Sequence, residues 1–460
     1  MNDIADMNAV ALARAIRKRD VSPVEATKAA LDRIEQRATL NAFITITADL
    51  ALEAATAAEQ AVVAGGPLGP LHGVPFSVKD LTNTAGVRTT MGSAIFADNV
   101  PKEDAVAVAR AKAAGAILIG KTTTPEFGHK QSTDAPIFGQ TLNPIDPNVT
   151  CGASSGGAAV AVASGMGPLA LGTDGGGSIR IPAACCGIVG FKATLGAVAN
   201  LQPFDLFSAN SYVGPMARDV ADTALLFEAI AGPDVGDPYG QIAPPPEPSL
   251  DSFKGVRIAW LERCGAHGLD ARVAAATNAA VRKMEALGAI VEPIELDFVS
   301  LEPAFLVILE SSVASRVAPH LERFATRLDP HLIETVEKGL RHGAVALQNA
   351  GAARSATFRA VQQQFERFDF IVSPALTAPP LPLGSQLPDG PIMIDGEPSG
   401  TLRGGWYPYT FPFNLTGHPA IAQPCGKTPE GLPIALQIVG KWHADRRVLA
   451  AAGLLEAALG

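Results

Sequence analysis

The sequence predicts an α/β protein in which helices pack in layers against a sheet. Two stretches carry this prediction. Residues 256–261 have the pattern of a strand, 271–287 that of a helix and 289–294 that of a second strand. Residues 103–114 have a helical pattern and 116–119 form the apolar strand pattern that follows. Strands that alternate with helices of this length are typical of a layered α/β architecture.

The N-terminal part begins with a helix whose start is marked in the sequence. Ser22 and Glu25 form a capping-box pattern around Pro23, which predicts a helix over 23–37. The predicted elements that follow are a strand over 41–47, an alanine-rich helix over 48–64 and a strand that ends at residue 79.

The remaining elements are predicted in the same way. They are helices at 156–165 and 219–231, strands at 168–172, 189–192 and 369–372, and a largely helical stretch over 301–368. A proline-rich linker is predicted at 233–250. A second proline-rich loop, at 374–391, has the length of a functional lid.

Two segments that are expected to line a pocket have few clear signals. The segment 200–213 carries Phe204 and Phe207, which are candidates for a pocket wall. The segment 374–412 carries Trp406, Tyr407 and Tyr409, which belong either to the pocket or to a buried aromatic cluster.

The composition argues against several classes of protein. Lys and Arg number 36 against 45 Asp and Glu, a formal net charge of −9, so electrostatics favour neither nucleic acid nor an anionic membrane. The five cysteines include no CxxC pair, which predicts neither a disulfide framework nor a zinc site and suits the reducing cytoplasm. The N-terminus is acidic, and no apolar run approaches the roughly 20 residues of a membrane span.

Two glycine-bracketed serine clusters, at 150–157 and 172–182, are the strongest functional signal. Ser154 and Ser178 lie 24 residues apart. The N–H groups of Gly175, Gly176, Gly177 and Ser178 itself are oriented donors for an anionic intermediate. We therefore predict that Ser178 is a nucleophile beside an oxyanion site.

A serine nucleophile needs a base, and no histidine lies in either cluster. Lys79 ends an apolar strand pattern, and burial can keep a lysine neutral and basic. Lys79, Ser154 and Ser178 therefore form a candidate proton relay.

These segments resemble the amidase signature family, whose members hydrolyse carboxylic amides with a Ser-cisSer-Lys triad. The lysine motif is Gly73-Val74-Pro75-Phe76-Ser77-Val78-Lys79-Asp80, and the 24-residue interval between the serines is also the family's. Further matching segments, in order, lie at 122–128, 138–144, 214–216, 414–420 and 431–440.

The resemblance implies one amidase domain over 1–460, with a signature core at about 70–220 and a helical, lid-bearing second half at 251–460. It implies an α/β fold whose central mixed sheet is covered by helices on both faces. It also implies the triad Lys79, Ser154 and Ser178, and a substrate-facing carbonyl at Gly128. The substrate would be a small amide, or a carbamate or ester, with no metal or organic cofactor; a homodimer is one option for the assembly.

Other residues near the serines are expected to support the site. Ser155, Asp174 and Arg180 fall in this group, with a salt bridge between the last two. His129 and His418 are expected to be hydrogen-bonded structural residues.

Two positions depart from the family pattern. The family usually has two glycines before the serine pair, whereas the second position here is Ala153, which leaves the cis peptide before Ser154 in question. Many members carry a larger residue at the position of Gly175. The glycine here is expected either to loosen the oxyanion loop or to widen the pocket.

Three alternatives compete with this interpretation. Residues 115–122 match the phosphate-binding pattern GxxxxGK[ST], but its variable positions form an apolar strand pattern and Pro125 prevents the helix that should follow. Residues 152–156 fit GxSxG with Ser154 as nucleophile and His418 as base, but no strand pattern precedes them. The third alternative is an amidase component of a tRNA-dependent amidotransferase, which has the same triad but works in a complex.

Overall fold

The structure is a computed structural model that describes residues 3–208, 210–243, 248–265, 268–384 and 391–460. Its strands, in chain order, are β1 Phe43–Ile46, β2 Pro75–Lys79, β3 Ile117–Thr122, β4 Asp134–Ala135, β5 Gly139–Gln140, β6 Leu169–Asp174, β7 Val189–Lys192, β8 Tyr212–Ala217, β9 Arg257–Trp260, β10 Ile290–Pro293, β11 Phe370–Pro374, β12 Met393–Ile394, β13 Glu397–Pro398, β14 Ala420–Lys427 and β15 Pro433–Gly440.

The helices connect and cover these strands. They are α1 Ala9–Lys18, α2 Pro23–Gln36, α3 Ala48–Ala64, α4 Val106–Ala113, α5 Gly156–Ala163, α6 Arg180–Cys186, α7 Val220–Ile230, α8 Ala271–Ala286, α9 Glu302–Val317, α10 Leu321–Phe324, α11 Pro330–Arg341, α12 Ala344–Gln364, α13 Pro412–Thr416 and α14 Asp445–Leu459. Both hydrogen bonds of the predicted capping box form at the start of α2.

Eleven of the described strands form one mixed sheet in the order β1-β3-β2-β6-β8-β7-β14-β15-β11-β9-β10. Strand β2 lies parallel to β3 and β6, whereas β6, β7 and β14 have antiparallel neighbours. The predicted α/β class with a mixed central sheet is confirmed.

Both faces of the sheet are buried under helices. On β6, Leu169 and Leu171 pack into one hydrophobic cluster with α4, α7 and α14, while Ala170 packs into a second with α2, α3 and α5. Successive side chains of a strand point to opposite faces, so the two clusters lie on opposite sides of the sheet.

The two halves of the chain occupy two halves of the sheet. Strands from residues 43–217 form the side from β1 to β7, and strands from residues 257–440 form the side from β14 to β10. The halves meet where β7 pairs antiparallel with β14, for example Phe191 with Ile421.

Some predicted segments differ or fall outside the described residues. The loop predicted over 200–213 ends two residues early, because β8 begins at Tyr212. The triproline of the predicted linker lies within 244–247, which is outside the described residues. Residue 209 and residues 385–390, which belong to the two predicted pocket loops, are also outside them. In the described parts of the chain, every helix is too short or too polar to cross a membrane.

Candidate active site

Lys79 is the last residue of strand β2 and is completely buried. Its Nζ lies 2.7 Å from Ser154 Oγ, 2.9 Å from Ser155 Oγ and 2.8 Å from Thr173 Oγ1. Burial lowers the pKa of its ammonium well below the ordinary 10.5, and the charge of Asp174 opposes that shift only in part. The strand therefore presents a desolvated amine to three hydroxyl groups.

Ser154 and Ser155 lie at the start of α5, after a cis peptide bond between Ala153 and Ser154. The cis geometry is thus present despite Ala153. The Ser155 hydroxyl donates to the carbonyl of Thr173 over 3.0 Å and accepts from the Thr173 N–H over 3.2 Å. The Ser155 N–H donates to the carbonyl of Ser178 over 3.1 Å, which joins the two serine clusters.

Ser178 lies in the loop between β6 and α6, 5% exposed. The hydroxyls of Ser154 and Ser178 line the same cavity but are not hydrogen-bonded to each other in the described structure. The first hydrogen bond of the predicted relay, between Lys79 and Ser154, is therefore formed. The second, between Ser154 and Ser178, is not formed in the described structure.

The loop that carries Ser178 is held by the predicted ion pair of Asp174 and Arg180. Arg180 Nε lies 3.0 Å from Asp174 Oδ2, and both side chains are wholly buried. Burial alone would raise the pKa of Asp174, but the adjacent guanidinium holds it well below its usual range. The carboxylate is therefore charged at all ordinary pH values.

The predicted set of oxyanion donors needs one correction. The N–H of Gly177 donates to Asp174 Oδ1 over 2.6 Å, at a backbone φ of 123°. This N–H is occupied, whereas those of Gly175, Gly176 and Ser178 donate to no acceptor among the described residues. Three donors of the loop are available to a ligand.

Residues from the second half of the chain complete the loop's support. Arg180 donates to Asn414 Oδ1 and to Gln437 Oε1, each over 2.7 Å, and Thr410 Oγ1 donates to the Gly176 carbonyl over 2.9 Å. The sequence indicated Asn414 and Gln437 only as motif members, and Thr173 and Thr410 not at all as site residues.

Gly128 approaches Ser154 closely. Its φ is +70°, and a Cβ built there would lie 3.0 Å from Ser154 Oγ and 2.9 Å from Leu81 Cδ1. Only glycine fits this position without displacing the serine.

Two adjoining cavities lie at the site, and the inner one opens onto the serines. The inner one, of about 110 Å³, is lined by Ser154, Ser178, Gly128, Gly175 and Gly176, together with His129, Tyr407 and other residues. The outer one, of about 920 Å³, shares Leu81, Phe127, Thr173, Asn210, Ser211, Ser312 and Arg316 with it. A ligand can therefore reach Ser178 while its remainder occupies the larger cleft.

The predicted aromatic wall is divided between cavity and core. Phe204 lines the outer cavity, Tyr407 lines the inner one, and Trp406 and Tyr409 are buried in hydrophobic clusters. Phe207 is 74% exposed and lines neither cavity.

Neither histidine considered above acts as a partner of a serine in the site. His129 Nδ1 lies 2.8 Å from the Glu126 carbonyl, and burial lowers its pKa to about 4. His418 contacts Thr416 and Gln362. The residues before Ser154 are not a strand, which removes the GxSxG alternative, and residues 117–122 are strand β3, which removes the phosphate-loop alternative.

Comparisons with known proteins show which family the chain is similar to. A family model described as Amidase matches residues 25–449. The chain is 35% identical to an acylamidase of Rhodococcus erythropolis, over 98% of this chain and 95% of the relative. It is 34% identical to a glutamyl-tRNA(Gln) amidotransferase subunit of Moorella thermoacetica, over 96% of this chain and 94% of the relative.

A solved structure shares the whole fold. The crystal structure of a bacterial aryl acylamidase of the amidase signature enzymes superposes with a TM-score of 0.89 and 29% identity, covering 98% of this chain and 96% of that one.

Proposed function

The chain belongs to the amidase signature family, and from this premise we propose that it is a serine amidohydrolase that cleaves small carboxylic amides through an acyl-enzyme on Ser178. The observation that carries the proposal is the buried Lys79 Nζ, 2.7 Å from Ser154 Oγ, with its pKa lowered by desolvation.

The hydrogen bonds around Lys79 indicate which group gives it a proton. The Ser155 hydroxyl donates its hydrogen to the Thr173 carbonyl, so Ser155 Oγ accepts a hydrogen bond from Lys79 Nζ. The Ser154 hydroxyl has no such carbonyl acceptor among the described residues and can donate to the lone pair of neutral Lys79. Ser154 thereby becomes a proton acceptor in its turn.

Acylation then follows from the position of Ser178. As substrate fills the inner cavity, Ser178 passes its proton to Ser154, and its Oγ attacks the amide carbon. The negative charge on the former carbonyl oxygen is stabilised by the N–H groups of Gly175, Gly176 and Ser178. Protonated Lys79 returns a proton through Ser154 to the leaving amine.

Deacylation uses the same groups. Water attacks the acyl ester, gives its proton through Ser154 to Lys79, and releases the carboxylic acid. Carbamates and esters carry a carbonyl that accepts the same attack, so they fall within the proposed range. The chemistry needs no metal or organic cofactor.

The deciding experiment measures amine or ammonia release by the purified protein from aryl and aliphatic amides, carbamates and esters. Ser178→Ala is the blank. Ser355→Ala is the matched control, because the exposed Ser355 hydroxyl donates to the Gly351 carbonyl within its own helix α12. Turnover that is lost in Ser178→Ala alone supports the proposal, whereas full activity in that variant overturns it.

A partner-dependent amidotransferase component is the second candidate, because relatives with that name are 34–36% identical over at least 96% of this chain. Its test is co-purification followed by glutaminase activity. A chain that hydrolyses amides alone, as a monomer or homodimer on a sizing column, favours the amidohydrolase. Activity that appears only in a complex with a second protein favours the amidotransferase component.

A further inference from the structure

The inner cavity contains two arginines that the proposed mechanism does not use. Arg403 lies on the short π-helical turn Leu402–Trp406, and Arg316 lies in the last turn of α9. Both line the cavity that contains Ser178, and no Asp or Glu is present among its described lining residues. The cavity therefore holds two cations and no anion.

The guanidinium of Arg403 has no hydrogen-bond acceptor in the described chain. Its Nε is buried and unpartnered. Its Nη1 forms a loose ion pair with Glu302 Oε1 over 4.0 Å, which is beyond hydrogen-bonding distance. Both oxygens of Glu302 instead accept from Thr401 Oγ1, over 2.9 and 2.8 Å. The rings of Phe305 and Tyr407 hold the guanidinium in place, at 5.1 and 5.7 Å.

Arg316 lies where the inner and outer cavities join. In the described ranges it forms no ion pair or hydrogen bond, and its closest aromatic contact is Phe127 at 5.4 Å. Part of the side chain stays exposed in the cleft, yet surrounding protein lowers the pKa of its guanidinium, with no carboxylate to oppose that effect. The guanidinium of Arg316 is thus accessible from the cleft and has hydrogen-bond donors free to bind an anion there.

Resting on the proposed function, we infer that the preferred substrates are monoamides of short dicarboxylic acids, whose free carboxylate binds Arg403 and Arg316 while the amide carbonyl meets Ser178. Guanidinium groups bind carboxylates through paired, charge-assisted hydrogen bonds. The inner volume of about 110 Å³ limits the acyl chain to a few carbons. Hydrolysis consumes water and yields the dicarboxylate and the free amine or ammonia.

Matched substrates isolate the contribution of the carboxylate. The half-amides of malonic, succinic and glutaric acid are compared with the diamides of the same acids, which have nearly the same size but no charge. In the unmodified protein, kcat/KM for the best half-amide should exceed that of its diamide by about 10- to 100-fold, the range for a charge-assisted hydrogen bond.

Three variants then assign the preference. Arg403→Gln and Arg316→Gln should each lower kcat/KM for the half-amide by about 10-fold or more while changing the diamide rate little. Arg403→Lys should recover part of the preference, since the charge remains. Arg282→Gln on α8, an exposed arginine outside both cavities, is the control and should change neither rate. A wild-type preference for diamides, or an unchanged ratio in both Gln variants, overturns the inference.

A binding measurement separates this inference from the proposed function. Malonate, succinate and glutarate are titrated calorimetrically into Ser178→Ala, which needs no turnover. Binding that weakens in the double variants with Arg403→Gln or Arg316→Gln supports the anion site even if no amide is hydrolysed. Hydrolysis of neutral amides without dicarboxylate binding overturns the anion site and leaves the amidohydrolase proposal standing.

Discussion

The main-chain N–H of Gly177 donates to Oδ1 of Asp174 over 2.6 Å. This bond turns the loop between β6 and α6 so that the N–H groups of Gly175, Gly176 and Ser178 are left without protein acceptors in the described structure. Asp174 thus acts on the site through the loop it shapes.

Replacing Asp174 by asparagine should destabilise the protein and the site together. Asp174→Asn leaves Arg180 as an uncompensated buried charge, which costs about 3–5 kcal/mol. Chemical denaturation should show that loss, and kcat/KM should fall. Glu337→Gln, which removes an exposed ion pair with Arg341, is the control and should cost less than about 1 kcal/mol. Equal stability of the two variants would contradict the assigned role.

The acylation rate should rise with pH and then reach a plateau. Lys79 acts only when neutral, and burial lowers its pKa, so the active fraction grows as the pH rises through that lowered value. The plateau should therefore begin well below the ordinary lysine pKa of 10.5. Rapid-quench kinetics of the acyl-enzyme would isolate this step. A rate that falls as the pH increases is incompatible with a lysine base.

Removing the amine should abolish most turnover. Lys79→Met keeps the side-chain length but removes the base, so kcat should fall by about 10²–10⁴-fold. Lys192→Met is the matched control, because Lys192 is equally buried but donates only to the carbonyls of Ala193 and His418. Similar losses in both variants would indicate that burial, rather than proton transfer, explains the effect.

Gly128→Ala should damage catalysis more than stability. The new Cβ would lie 3.0 Å from Ser154 Oγ, and a small displacement of a reacting group can cost about 10²-fold in rate. Gly86→Ala is the control: its φ of +71° matches the +70° of Gly128, but a Cβ there meets nothing within 4 Å. Both variants should lose stability because of the positive φ, Gly128→Ala somewhat more because its Cβ also crowds Leu81, and only Gly128→Ala should lose activity. Full activity in Gly128→Ala would refute the close approach.

Two neighbouring glycines of the loop should respond in opposite ways. A Cβ at Gly175 meets nothing within 4 Å, so Gly175→Ala should keep its activity and gain about 0.4–1 kcal/mol of stability. A Cβ at Gly176 would lie 2.8 Å from Phe305 Cζ, so Gly176→Ala should lose activity. Denaturation and kcat/KM of the two variants check this. A loss of activity in Gly175→Ala with full activity in Gly176→Ala would instead show that the loop needs the flexibility of Gly175.

The sequence predicted the elements that carry strong local signals. Helix α3 begins and ends at the predicted residues, and the capping box sets the start of α2. Strand β15 was marked only as a motif, because it is buried on both faces and lacks the alternation that reveals a strand. Strand β14 was not predicted, and only its first residue, Ala420, fell within a motif. Strand β8 contains Pro215, a residue that argues against a strand inside a sheet.

The site was predictable as far as family motifs extend. They indicated Lys79, Ser154 and Ser178, whose catalytic roles remain predictions. The use of the Gly177 N–H depends on the fold of the loop and has no sequence signal. Arg316 and Arg403 lie far from the serines along the chain, and only the packing of α9 and the 402–406 turn brings them to the cavity.

The division of the sheet at β7 and β14 means that each half of the chain holds an incomplete site. The serines and lysine belong to the first half of the chain. The second half holds Thr410, Asn414 and Gln437, whose side chains form hydrogen bonds with the loop that carries Ser178 and with Arg180. The enzyme is therefore a candidate for complementation. Fragments divided in 233–250 and expressed separately should regain activity only on mixing, because β7 must pair with β14 before the loop that carries Ser178 is held in place.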